Sequence, residues 1–243
     1  MKRIVISQPM FFPWVGLFGE VRLADVYVHY DDVQFSKGSF TNRVEVKTPR
    51  GSKWLTVPLK NLKLGQLIKD VALQDVDDWR KSHVGLLAQA YSQAPYFQDM
   101  LAIVERVYAR PLTNLADLTM RSMEEIWNYF GLAAGRIFLK SSELGIPGKS
   151  SQRVFDIVKH LGGDVYITGH GAKNYLDHEL FERNGVSVQY MRYERAPYPQ
   201  LHGAFDPHVT ILDLIANTGH AGIEYIRSGT VEWREFIPGL PEK

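Results

Sequence analysis

An α/β fold on a mainly parallel sheet is predicted by three features of the sequence. Ile4-Val5-Ile6-Ser7 is a short β-branched run that ends at a Pro-bearing turn, and Val15 to Ala24 has helical character. Val26-Tyr27-Val28-His29-Tyr30 is again strand-like in its β-branched and aromatic content, and it stops at Asp31-Asp32. A strand, a crossover helix and a second strand make a parallel pair, with the ligand crevice beyond the strands' carboxyl ends. Gln8 and Asp31 are expected in that crevice.

The remaining elements follow in order. Residues 40 to 58 alternate apolar and polar side chains around Pro49-Arg50-Gly51-Ser52, which predicts a small β-hairpin. From Trp79 to Leu132 the spacing is helical, broken by Pro95 and Pro111 and with Asn114 placed as an N-cap, so a block of about three helices is expected. Helix Ser151 to Leu161, strand Val165 to Thr168, helix Tyr175 to Asn184 and strand Val186 to Met191 then resume the α/β alternation. A last helix near Thr210 to Asn217 precedes a stretch rich in Pro and Gly, which reads as an extended surface tail. Nothing in the composition marks a linker, so residues 1–243 are expected to form one domain.

Composition narrows the function classes. With 28 basic and 27 acidic residues the formal charge is +1, too small a field to draw in a polyanion, so nucleic acid is not the expected ligand. The chain has no cysteine and therefore no disulfide, thiolate nucleophile or sulfur-based zinc site. His83, His160 and His178 lack ligand spacing, and no metal is assigned. The amino terminus reaches Gln8-Pro9 before a signal-peptide core forms, and no run of about 18 apolar residues exists, so a cytoplasmic protein without a membrane span is expected.

Four stretches are candidates for chemistry. Gln8-Pro9-Met10-Phe11-Phe12-Pro13-Trp14-Val15-Gly16 is a stiff apolar loop in which Gln8 offers an amide to a ligand at the sheet edge. Trp14 is either a wall or a core ring. Asp31-Asp32-Val33-Gln34-Phe35-Ser36-Lys37-Gly38-Ser39-Phe40-Thr41-Asn42-Arg43 is dense in polar groups. Its two carboxylates suit a substrate amine, Mg²⁺ or base chemistry, against a solvated turn and an ordinary N-cap. Arg43 suits a phosphate or carboxylate, or an ion pair with Asp31 or Asp32.

Gly148-Lys149-Ser150-Ser151 precedes a helix, where free amides and the helix dipole hold an anion unless Ser simply caps the helix. It is not a P-loop, because Glu143 occupies the place of the first glycine. Thr168-Gly169-His170-Gly171-Ala172-Lys173-Asn174-Tyr175 leaves a strand with glycines that admit a ligand, and His170 between them is a candidate acid or base. Tyr198, Gln200 and Phe205, ahead of Asp213, suggest a lid or wall.

Taken in order, Gln8-Pro9, Pro13-Trp14, Gly16, Asp25, Asp31-Asp32-Val33-Gln34-Phe35, Asn42-Arg43 and Trp54-Leu55-Thr56-Val57-Pro58 resemble the WbqC-like family. The resemblance continues through Ala94-Pro95-Tyr96-Phe97, Ser150, Gly169, Gly171, Ala172, Tyr175-Leu176, Tyr198, Gln200 and Asp213. It implies a place in O-antigen and related surface-polysaccharide pathways, with transfer of an aminoacyl or glycyl group onto an amino sugar. A weaker similarity, to the nucleotidyltransferase-like superfamily with its Rossmann-like sheet, aligns Trp14-Val15-Gly16-Leu17 with an H-x-G-H loop. Both histidines are missing, so ordinary adenylyl transfer is not implied.

The leading expectation is an acyl or aminoacyl transferase. Asp31, Asp32 and His170 would be its catalytic groups. Gln8, Trp14, Gln34, Asn42, Arg43, Lys149, Ser150, Gly169, Gly171, Lys173, Tyr175, Tyr198 and Gln200 would bind an amino sugar or nucleotide sugar. The cofactor stays open between ATP with Mg²⁺ and an acyl-coenzyme A. An ATP-dependent carboxylate-activating enzyme and a non-catalytic sugar-binding scaffold are the other two readings.

Overall fold

Successive side chains of a strand point to opposite faces, and the first strand buries both. In β1 (Arg3–Ser7), Val5 enters one apolar cluster while Ile4 and Ile6 enter another. Such a strand belongs in the middle of a parallel sheet with helices on both faces. The computed structural model, which describes residues 1–74 and 78–237, has that architecture.

In chain order, β1 is followed by α1 (Val15–Leu23), β2 (Val26–His29) and the hairpin strands β3 (Arg43–Thr48) and β4 (Gly51–Thr56). The helical block is α2 (Trp79–Tyr91), α3 (Phe97–Tyr108) and α4 (Leu115–Tyr129). Next come β5 (Ile137–Lys140), α5 (Ser150–His160), β6 (Val165–Thr168), α6 (His178–Arg183) and β7 (Ser187–Tyr193). α7 (Ile211–Thr218), β8 (Ser228–Glu232) and α8 (Trp233–Phe236) follow. The main sheet runs β5-β2-β1-β6-β7-β8, parallel throughout except that β8 is antiparallel to β7. From β1 the chain builds outward through β2 and β5, then returns to β6 on β1's other side, so the strand order reverses between β1 and β6.

One face of the sheet carries α1 to α4, α7 and the hairpin, and the other carries α5, α6 and Trp233. Local signals explain many boundaries: Asn114 accepts a hydrogen bond from the Asp117 amide at 2.8 Å, and Thr210 and Asp177 cap α7 and α6 in the same way.

Three elements differ from expectation. The helix expected from Tyr175 begins at His178, because Asp177 caps it and residues 170–174 form a 3₁₀ turn. β5, not foreseen, is a short edge strand whose apolar run Ile137-Phe138-Leu139 is too brief to stand out. The expected tail instead forms a 3₁₀ turn over residues 219–225, then β8, which closes the otherwise open edge of β7, and α8, which buries Trp233. Its last part, residues 238–243, lies outside the described residues.

Candidate functional site

A deep cleft of about 1320 Å³ opens at the carboxyl ends of β1, β6 and β7. Ser7 and Gln8 enter it from β1, Thr168 and Gly169 from β6, and Met191, Arg192 and Tyr193 from β7. The β1–β6 reversal lies beneath it, the place where two loops diverge and leave room for a ligand. Of the residues singled out in the sequence, Gln8, Trp14, Asp32, Gln34, Lys149, Ser150, Gly169, His170, Gly171 and Tyr175 line this cleft. Asp31, Asn42, Arg43, Lys173, Tyr198 and Gln200 are not among the lining residues.

The two adjacent aspartates have different surroundings. Asp31 is buried and accepts hydrogen bonds from the Ser142 amide at 3.0 Å and the Ser142 hydroxyl at 2.7 Å, tying the end of β2 to the turn after β5. Asp32 lines the cleft and receives the Arg153 guanidinium at 2.6 Å. The Ser141 hydroxyl lies 3.1 Å from Asp31 Oδ1 and 2.6 Å from Asp32 Oδ1, so its one proton bridges the pair. Burial pushes the Asp32 carboxyl up, but the hydrogen bonds from Arg153 and Ser141 and the Arg153 charge outweigh it and leave the group below its ordinary value. The same guanidinium stands 5.2 Å from the centre of the Tyr30 ring.

α5 presents its amino terminus to the cleft. The ordinary serine cap does not form there: Lys149 occupies the N-cap position without a side-chain hydrogen bond, and Ser151 Oγ instead donates to the Tyr175 carbonyl at 3.0 Å. Ser150 has φ +54°, a left-handed conformation that costs a serine about 1–3 kcal/mol and that the surrounding structure must hold. Across from it, His170 Nε2 lies 3.0 Å from the Met191 carbonyl, an acceptor only. Nε2 therefore carries the proton and Nδ1 is left as the acceptor in the neutral ring. Lys173 is exposed on the same 3₁₀ turn.

Trp14 lies flat over the first turn of α1, where a Cβ on Gly16 would come within 2.1 Å of its ring, so only glycine permits this placement. Tyr193 meets the indole edge-on at 5.1 Å and His208 flanks it at 5.9 Å. Arg43 forms no ion pair with Asp31 or Asp32. Its Nη2 donates to the Gly38 carbonyl at 2.6 Å, and the guanidinium stacks on Trp54. Asn42 is buried and donates to the Val57 carbonyl at 3.0 Å.

Tyr198 and Gln200 belong to a buried polar cluster instead. The Tyr198 hydroxyl and Gln200 Nε2 each donate to Asp213 Oδ1 at 2.8 Å, and Lys47 Nζ donates to Gln200 Oε1 at 2.7 Å and to the Gly203 and Ala204 carbonyls. This network clamps residues 198–206 to the hairpin and α7. Arg195 and His208, on either side of the clamped segment, line the cleft.

Glu20, Arg192, Arg195 and His208 line the cleft without having been singled out in the sequence. Glu20 sits on α1, is 5% exposed and has no cationic partner among the described residues. Burial pushes its carboxyl up to about 7, with a hydrogen bond from Ser7 acting the other way. The one signal for it was an acidic residue amid the apolar side chains of α1, whose other charged residue, Arg22, sits exposed in the last turn. No group of three or more potential metal-ligating side chains occurs among the described residues, and none of their helices is long and apolar enough to cross a membrane.

The chain is 30% identical over 230 residues to a Mycobacterium tuberculosis protein described as uncharacterized protein Rv1507c, a match that covers 93% of this chain and 98% of that one. No solved structure matches it. The profile of the WbqC-like protein family matches residues 8–225, a span that includes all the cleft-lining residues except Ile6 and Ser7, and the chain belongs to that family.

Proposed function

We propose that this chain transfers an acyl or aminoacyl group onto the amine of a nucleotide-linked amino sugar in surface-polysaccharide assembly. The observation that carries the reading is the two-sided character of the large cleft. Lys149, Arg192 and Arg195 line it as cations, against Asp32, whose charge is met by Arg153, and the buried Glu20. That excess suits the phosphates of a nucleotide, with the amide-rich start of α5 as a further anchor. Pockets for a single drug-sized ligand typically measure about 300–1000 Å³, so 1320 Å³ leaves room for an acyl donor beside the sugar.

In this reading Trp14 and Tyr193 form an aromatic wall for the sugar ring, and Gln8 orients the donor or acceptor with its amide. The backbone amides of Gly169 and Gly171 approach the acyl oxygen, and His170 Nδ1 accepts a hydrogen bond from the bound substrate. Asp32 acts through Arg153, holding that guanidinium against the cleft wall.

A second reading, ATP-dependent activation of a carboxylate, is favoured by one feature: Lys149 and Ser150 stand at a helix N-terminus facing the cleft, as a phosphate site requires. Thermal unfolding with ATP and Mg²⁺, acetyl-coenzyme A and UDP-glucosamine, followed by mass spectrometry of the sugar, separates the two. A ligand at a hundred times its Kd stabilises by about 2.7 kcal/mol. Stabilisation by UDP-glucosamine and an acylated sugar product support direct transfer. Stabilisation by ATP alone supports activation, and sugar binding with no product under any condition supports a scaffold.

A further inference from the structure

We infer that Glu20, on the floor of the cleft, is the catalytic proton acceptor, taking the proton that the sugar amine loses as it is acylated. The inference rests on the transfer reading above and names a group for its central step.

Three independent features place Glu20 there. It is the one carboxylate lining the cleft without a cationic partner among the described residues, since Asp32 is held by Arg153. It lies under the β1–β6 reversal, where Ser7 donates to it from β1 and Gly169 faces it from β6. A Cβ on Gly169 would stand 3.0 Å from Glu20 Oε1, so the glycine is what leaves the approach to this oxygen open. Burying an unpaired carboxylate costs several kcal/mol and gives nothing to the packing of α1, where an apolar side chain would serve better. Such a group marks a functional site.

The remaining titratable groups that face it are phenols, Tyr27 from β2 and Tyr166 from β6, whose own ionisation burial pushes further up. Neither competes for the proton near neutral pH. Burial holds the Glu20 carboxyl near 7, close to the value at which a base is both ionised in a useful fraction and strong enough to accept a proton.

The step balances as follows. The amine nitrogen attacks the carbonyl carbon of an activated acyl donor, a thioester or acyl phosphate. The new C–N bond forms and one N–H proton passes to Glu20 Oε1. The C–S or C–O bond to the leaving group then breaks with its electron pair, and the thiolate or phosphate departs. Glu20 returns its proton to the leaving group or to water, and no oxidant or reductant is needed.

Two measurements on Glu20→Gln and Glu20→Asp test this. The first is the pH profile of acyl transfer to UDP-glucosamine. Glu20→Gln is expected to lose about 10²- to 10⁴-fold in kcat with UDP-glucosamine affinity kept within threefold, and Glu20→Asp to keep part of the rate with its acid limb moved. The second, independent of turnover, is the infrared carbonyl band of a protonated carboxylic acid, expected to titrate near neutral pH in the wild type and to be missing from Glu20→Gln. Wild-type transfer matched by Glu20→Gln would overturn the role of Glu20 and leave the transfer reading standing. A near-neutral band that vanishes in Glu20→Gln, in a wild type that acylates no amine, would sink the transfer reading while keeping Glu20 as the proton acceptor of the cleft. A band that never titrates near neutral pH would overturn the assignment whatever the activity.

Discussion

Glu20 is costly to the fold as well as central to the cleft. Its carboxyl is raised in the folded state to about 7, against an ordinary value of 4.5, so between those values the unfolded chain binds fewer protons and stability falls as pH rises. At 1.36 kcal/mol per tenfold shift, the loss is on the order of 3 kcal/mol, complete above about pH 7 and absent below about pH 4.5. Glu20→Gln is therefore expected to be more stable than the wild type at pH 8 by up to that amount and about equal to it at pH 4, as urea unfolding at the two values would report. Equal stability at pH 8 would mean the carboxylate is solvated.

Three buried histidines, His29, His83 and His178, act in the opposite sense, the first two most strongly. Burial holds both His29 and His83 down to about 4, so the unfolded chain binds more protons below about pH 6.5 and stability is lost as pH falls towards 4. His83 stays neutral because burial outweighs the Thr56 carbonyl, which accepts from Nε2 at 3.0 Å and by itself favours the protonated ring, and Nδ1 accepts from the Tyr108 hydroxyl at 2.8 Å. His29 Nδ1 is buried without a hydrogen-bond partner, and its ring packs 5.6 Å from Trp127. His29 and His83 are each worth on the order of 3 kcal/mol across that window, one of them offset by Glu20 between about pH 4.5 and 6.5. His29→Phe is expected to remove about half of the acid loss linked to His29 and His83 in a pH series of unfolding free energies. At this scale the sequence was an uneven guide: Asp31 and Asp32 look alike in a string of letters, and only the turn after β5 and the placement of α5 decide that one is tied to Ser142 while the other meets Arg153.

At the scale of elements, the loop from β1 into α1 was legible and its geometry was not. The Pro and aromatic content predicted a stiff ligand-side loop, yet the reason for Gly16 is visible only in the position of the Trp14 ring. Gly16→Ala raises helix propensity by about 1 kcal/mol but drives the indole off α1. Its unfolding midpoint is expected to change little while affinity for UDP-glucosamine drops about tenfold. Unchanged affinity would remove Trp14 from the binding wall. α5 makes a similar point, since a Gly-Lys-Ser-Ser run predicted an anion site or a cap, and the cap is what fails to form.

At the scale of the molecule, the sheet is finished by a segment that had read as a tail. β8 covers the edge of β7, and Trp233 stacks on His178 at 4.8 Å. Removing residues 228–243 would uncover the backbone groups of β7 and the apolar surface around α6. The truncated chain is expected to aggregate or self-associate on size-exclusion chromatography where the full chain does not. A monodisperse truncated chain would show that the edge needs no cover.

The sequence by itself determined the alternation of strand and helix, the three-helix block, the hairpin and the family, because these rest on local periodicity, capping residues and motifs that read along the chain. It also led Gln8, Asp31, Asp32, Arg43, His170 and Lys173 to be expected at one edge of the sheet, since residues that follow parallel strands share it, and of these Gln8, Asp32 and His170 line the cleft while Asp31, Arg43 and Lys173 do not. Only the tertiary structure decided the partners across the sheet. The Arg153–Asp32 pair, the Lys47–Gln200–Asp213 cluster and the isolation of Glu20 beneath Gly169 join residues far apart in sequence. The charge and proton affinity of such groups are set by burial and by neighbours that no local pattern records.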